Sequence, residues 1–114
     1  MRKQMIENAA YEVATQVRSV EDSIDAALAE VAELQGRMMR ARLLATVSIG
    51  TGQEALQQLA VATQALVGAR GSMVGCHAAL VAAKGEVPGL RTVSFGDADE
   101  CPKPSAAADL RIVA

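Results

Sequence analysis

The sequence predicts an all-α protein: a long antiparallel helical hairpin of the coiled-coil type, followed by a short extended or β C-terminal arm. Apolar residues recur at alternating spacings of four and three through two long segments, the pattern of helices that bury one face against a partner helix. Residues 1–87 contain no proline. Ala accounts for 23 of the 114 residues and only two residues are aromatic, a composition that favours closely packed helices.

The first helix is predicted over about residues 4–48. Gly36 is the one glycine before residue 50, so no residue in this segment strongly interrupts a helix. At 1.5 Å per residue the helix would be about 65 Å long. Its predicted apolar seam consists of Ile6, Ala10, Val13, Val17, Val20, Ile24, Ala27, Val31, Leu34, Met38, Ala41 and Ala45.

A turn is predicted over residues 48–52, where Gly50 and Gly52 break the helical pattern. Thr51 followed by Glu54 has the spacing of a capping box, which marks the start of a helix. The second helix is therefore predicted over about residues 52–85. Its predicted seam consists of Ala55, Leu59, Ala62, Leu66, Ala69, Met73, Cys76, Leu80, Ala83 and Val87.

The two seams can be paired residue by residue, because an antiparallel hairpin sets opposite one another positions whose numbers have a constant sum. With a sum of 100, large residues of the first helix face the small residues of the second, which lets the helices approach closely. Cys76 is then a structural thiol on an apolar face. Three contacts are expected: Leu34 with Leu66, Val20 with Leu80, and Ile24 with Cys76.

The predicted organisation is a helical hairpin over residues 1–87 and an arm over residues 88–114. Strand-like residues follow Pro88 and Gly89. The hairpin leaves the N-terminal end of the first helix, around Ala10, without a helical partner. The nearest apolar residues to cover it are Leu90, Val93 and Phe95.

The second helix carries a further apolar row that one hairpin does not need, and a polar row that is expected to face solvent. An exposed apolar row indicates association, so we expect a homodimer or larger assembly with a four-helix core. The alternative is that the arm folds back over this row. The apolar row is Val67, Gly71, Val74, Ala78 and Val81, and the polar row is Thr63, Arg70, His77 and Lys84.

Charge is segregated along the first helix, with acidic residues early and Arg37, Arg40 and Arg42 near its end. This order complements the helix dipole and is typical of a solvated helix surface. The alternative is that the three arginines form a small anion-binding patch beside the turn. With a net charge of −2, the chain lacks the broad basic surface of a nucleic-acid-binding protein.

The sequence favours a non-catalytic structural or adaptor protein that acts through self-association and protein contacts. One form of this hypothesis is a subunit of a larger assembly. His77 is the one histidine, and no HExxH pattern occurs, so no catalytic residues, metal or cofactor are predicted. The alternative is a small helical enzyme or ligand carrier with a site between protomers.

The expected compartment is the cytoplasm, with no membrane and no nucleic acid among the partners. The basic N-terminal residues are not followed by the apolar run of a secretory signal. The longest stretch without charge has 15 residues, 55–69, whereas a spanning helix needs about 20 mostly apolar residues.

Overall fold

The computed structural model describes residues 2–90. Two helices account for most of this range: α1 spans Arg2–Ala45 and α2 spans Gln53–Lys84. No strand occurs within residues 2–90, so the all-α prediction is confirmed for the described chain. The predicted strand-like arm lies outside the described residues, apart from residues 88–90, which form a turn.

The chain divides into two compact units, each of which combines a part of α1 with a part of α2. The turn unit is Arg18–Val74, and the terminal unit is Met1–Val17 with Gly75–Ala114. In the turn unit, Asp25 of α1 pairs with Arg70 of α2, although these residues lie on opposite sides of the turn and far from it in sequence. Within this unit the two helices are therefore antiparallel, as a hairpin requires.

The turn between the helices begins at Thr46, which has a left-handed φ of 55°. Its N–H still donates to the carbonyl of Arg42 at 3.1 Å, so Thr46 closes the last helical turn of α1 and then redirects the chain. A β-branched residue is rarely found in this conformation. Arg42 donates hydrogen bonds to carbonyls of the turn that follows Thr46.

The start of α2 differs from the predicted capping box. The first helical hydrogen bond runs from the Leu56 N–H to the Gly52 carbonyl at 3.1 Å, which makes Gly52 the N-cap residue. Gly52 has a φ of 84°, which glycine adopts without a steric penalty. The Thr51 hydroxyl lies 3.1 Å from that of Ser48, and the Glu54 carboxylate accepts a hydrogen bond from Gln58. The predicted cap at Thr51 is therefore displaced by one residue.

Most of the residues predicted for the seam of α1 are partly buried, so this prediction is largely confirmed. Val13, Leu34, Ala41 and Ala45 are exposed instead. The seam residues that are partly buried are Ile6, Ala10, Val17, Val20, Ile24, Ala27, Val31 and Met38.

The predicted seam of α2 is correct for part of one of its two rows, in which Leu80 is exposed. Leu59, Leu66 and Met73 are partly buried. The row of small residues, however, is exposed: Ala55, Ala62, Ala69, Cys76 and Ala83. On the other flank of the leucines, Thr63, His77 and Lys84 are partly buried. The prediction that the polar row faces solvent is therefore wrong for these three residues.

Leu90 is the one buried apolar residue within residues 2–90. The chain forms successive turns after α2. In the last of them the Leu90 N–H donates to the Val87 carbonyl at 3.0 Å, and Gly89 has a φ of 92°. Neither helix contains a buried residue. The described chain therefore lacks the extended core that normally stabilises a domain.

Candidate interaction surfaces

The predicted self-association row lies on the surface of α2. Within the turn unit, Val67 is 48% exposed and Val74 is 64% exposed, and Gly71 between them is also exposed. In the terminal unit, Ala78 is exposed and Val81 is partly buried. Four of the five predicted residues are thus accessible to a partner.

The glycines of this region have no steric role within the described chain. A methyl group added to Gly68, Gly71 or Gly75 would meet no atom within 4 Å beyond the local helix backbone. Glycine in a helix interior costs about 0.5–1 kcal/mol relative to Ala. The described residues thus give no internal contact that compensates this cost.

Helix α2 is rich in apolar residues and carries few charges. Its 32 residues include three charged side chains, Glu54, Arg70 and Lys84. By length and composition it is apolar enough to cross a membrane, and none of its most apolar window is buried. A helix that packs inside a soluble assembly meets the same criterion, so this property alone is weak support for a membrane span.

The polar row of α2 supplies contacts to α1 rather than to solvent alone. Arg70 Nε donates to Asp25 Oδ1 at 2.6 Å, and both side chains are about half exposed. The hydrogen bond with Asp25, followed by the charge of Asp25, raises the pKa of Arg70. The Thr63 hydroxyl donates to the Leu59 carbonyl at 3.0 Å, which satisfies a partly buried polar group.

An open apolar cleft of about 200 Å³ lies in the terminal unit. Leu90 lines it beside Ala10, which confirms that Leu90 lies at the N-terminal end of α1; Val93 and Phe95 lie outside the described residues. The other lining residues are Val13, Ala14, Val17, His77, Leu80, Ala83, Lys84 and Val87. The sequence pattern did not indicate this cleft, because His77 and Lys84 were expected to face solvent.

The three arginines of the candidate anion patch each contact groups of the turn unit. Arg37 Nε lies 3.1 Å from Glu33 Oε1, and Arg40 Nη2 lies 3.7 Å from the same oxygen. Arg42 instead donates to backbone carbonyls in the turn, at 3.0 and 3.2 Å to Ser48 and 2.6 Å to Thr51. Binding of an external anion by this patch stays a prediction.

The turn also carries apolar side chains that the seam analysis did not identify as a surface. Leu43 is 78% exposed, Leu44 is 86% exposed and Ile49 is 89% exposed. Val47 is also exposed. We refer to Leu43, Leu44, Val47 and Ile49 as the tip cluster.

Residues 2–90 contain no group of three or more His, Cys, Asp or Glu side chains placed to hold a metal ion. Cys76 is an exposed free thiol, so its assignment to a packed apolar face is wrong; Cys101 lies outside the described residues.

Searches against protein-family models, curated protein sequences and solved structures return no match.

Proposed function

We propose that this protein is a non-catalytic structural or adaptor protein that acts through self-association of α2. The observation that supports the proposal best is that α2 exposes Val67 and Val74 on one row and contains no buried residue. Contiguous exposed apolar surface of this kind marks an interaction site. A second copy of the chain is the simplest partner, and a homodimer with a four-helix core is the simplest assembly.

The proposed contact is centred on Val67, Gly71 and Val74. In a two-fold symmetric contact the same row packs against its copy. Gly71 lies between the two valines, and its missing side chain lets the helix backbones approach closely. Close approach compensates for the cost of glycine in a helix, which contacts within the described chain do not do.

Sedimentation equilibrium of the full chain and of Val74→Glu tests the proposal. The parent should sediment as a dimer or larger species, and Val74→Glu should sediment as a monomer of 11.8 kDa because it buries a charge next to its own copy. Val61→Glu is the matched control. Val61 is 62% exposed, lies on the same helix and points about 140° away from Val74, given 3.6 residues per turn.

Two results would contradict the proposal. One is a parent protein that stays monomeric from micromolar to millimolar concentration, which would favour the alternative that the arm covers the row. The other is equal dissociation by Val74→Glu and Val61→Glu, which would show that the effect of the charge does not depend on the row.

A second candidate function, a carrier of a small apolar ligand, is favoured by the cleft of the terminal unit. Its volume of about 200 Å³ and its largely apolar lining are properties of small-molecule sites, although its size is below their usual range. Binding of an apolar fluorescent dye to the cleft tests this candidate, as described in the Discussion.

A further inference from the structure

The tip cluster is the most exposed group of large apolar side chains in the described chain. Ile49, Leu44 and Leu43 are each more than three-quarters exposed. They lie within seven residues of one another, at the end of α1 and in the turn. Their position in sequence separates them from the Val67 to Val74 row, so self-association through that row does not cover them by itself.

The charge around the tip cluster is of one sign. No acidic residue occurs between Glu33 and Glu54, whereas Arg37, Arg40 and Arg42 all lie in this interval. Arg37 and Arg40 are 73% and 63% exposed in their contacts with Glu33. Exposed ion pairs of this kind contribute little stability, so both guanidinium groups can exchange Glu33 for another anion.

The backbone of the turn is already hydrogen-bonded within the protein. Arg42 donates to the carbonyls of Ser48 and Thr51. The Thr51 N–H donates to the Ser48 carbonyl at 3.1 Å, and the Gln53 N–H donates to the Gly50 carbonyl at 3.2 Å. These bonds lower the cost of moving the turn from water into a less polar medium, where unpaired backbone groups are expensive.

We propose that the turn docks on the surface of an anionic lipid bilayer, with the tip cluster inserted at the boundary between headgroups and acyl chains. Arg37 and Arg40 contact lipid phosphates in this arrangement. Apolar side chains beside cationic ones are the composition of segments that lie in the bilayer interface. The internally bonded backbone favours a lipid surface over an acidic protein groove, because a protein groove can supply hydrogen-bond partners to unpaired backbone groups and lipid acyl chains cannot.

This proposal concerns docking on a membrane surface and not spanning. The expected absence of a membrane partner rests on the length of the uncharged stretch and on the lack of a signal segment. Neither observation tests a turn that inserts a few side chains. The proposal is also independent of self-association through Val74, which involves a different part of the turn unit.

Flotation of the full-length protein with lipid vesicles tests the proposal. The parent should bind vesicles of phosphatidylcholine with phosphatidylglycerol, and bind pure phosphatidylcholine about tenfold less, with binding to the anionic vesicles weakening as salt rises. Ile49→Gln should reduce binding to the anionic vesicles by about tenfold, because it removes the most exposed apolar side chain of the tip cluster. The double variant Arg37→Gln/Arg40→Gln should lose the preference for anionic vesicles.

Val61→Gln is the matched control, since it replaces an exposed apolar residue on α2 outside the tip cluster. Binding that falls equally in Val61→Gln and Ile49→Gln would overturn the proposal, because lipid would then bind α2. Equal binding of the parent to both kinds of vesicle, or no binding, would also overturn it. Far-UV circular dichroism checks that Ile49→Gln keeps the helix content of the parent.

Sedimentation equilibrium of Ile49→Gln separates this proposal from the proposed function. The variant should keep the oligomeric state of the parent, because the tip cluster lies outside the Val67 to Val74 row. Dissociation of Ile49→Gln would show that the tip cluster contacts another protein chain, and would overturn lipid docking. Failure of Val74→Glu to dissociate would contradict self-association and leave lipid docking intact.

Discussion

The Arg42 guanidinium is joined to the Thr51 carbonyl by a hydrogen bond of 2.6 Å from Nη1. The same group donates to the Ser48 carbonyl through both of its terminal nitrogens. A charged residue in the last turn of α1 thus fastens the segment that leads into α2. The five donors and planar geometry of arginine make this bridging possible.

Replacing Arg42 by Lys should lower the free energy of unfolding by about 1–2 kcal/mol, because an ammonium cannot reproduce the forked hydrogen bonds to two carbonyls. Arg37→Lys is the control, since Arg37 makes an exposed pair with Glu33, and it should change the stability by less than about 0.5 kcal/mol. Chemical denaturation measures both values. Equal effects would show that the Arg42 contacts do not stabilise the turn.

Gly52→Ala should destabilise the protein by about 1–2 kcal/mol. The cost arises from the backbone, because Gly52 has a φ of 84°, which an L-residue with a Cβ disfavours. Gly50→Ala is the matched control two residues away. Neither glycine has an atom within 4 Å of an added methyl group, and only Gly52 has a left-handed φ. Equal Tm values for the two variants in thermal unfolding would contradict the left-handed conformation of Gly52.

Ala69→Leu distinguishes the seam that the sequence predicts from the one that the structure shows. The predicted register places Ala69 in a tight interface, where leucine would cost about 1–3 kcal/mol. Ala69 is exposed in the structure, so we expect a change of less than about 0.5 kcal/mol. A decrease of more than about 1 kcal/mol in the free energy of unfolding, measured by chemical denaturation, would instead support the predicted seam.

Gly71→Ala should have opposite effects on the helix and on the assembly. In a monomer it should stabilise α2 by about 0.5–1 kcal/mol, because alanine is the better helix former and the added methyl group meets no neighbour. In the proposed dimer it should weaken association, because the methyl group separates the paired helices. Gly68→Ala is the control, since it gains the same helix propensity outside the row. Association that is equally strong in both variants would contradict the proposed contact.

Ala83→Arg should abolish binding of an apolar fluorescent dye to the cleft of the terminal unit, because it places a charged side chain in the lining. Ala82→Arg is the control. Ala82 is the preceding residue of α2 and is also exposed, but it does not line the cleft. Fluorescence titration compares the two variants. Equal dye binding by both would show that the dye site lies elsewhere.

The helices and the turn follow from the sequence alone. Alternating apolar spacings of four and three, with no proline before residue 88, allow little besides two long helices. Gly50 and Gly52 mark the one place where the chain can reverse. The same pattern places Leu59, Leu66 and Met73 in the apolar seam of α2, and these three residues are partly buried.

Only the tertiary structure decides which of two neighbouring rows of α2 is partly buried together with these large residues. The Ala62 row and the Thr63 row both repeat every seven residues, and both lie three and four positions from the leucines. Helical periodicity therefore cannot choose between them. The choice is linked to the contact of Arg70 with Asp25, two residues 45 positions apart, and such long-range pairing of charges is not encoded in the local spacing. Exposing the alanine row costs little hydrophobic free energy, because alanine side chains are small. Turning the polar row toward α1 instead allows Arg70, a member of that row, to contact Asp25.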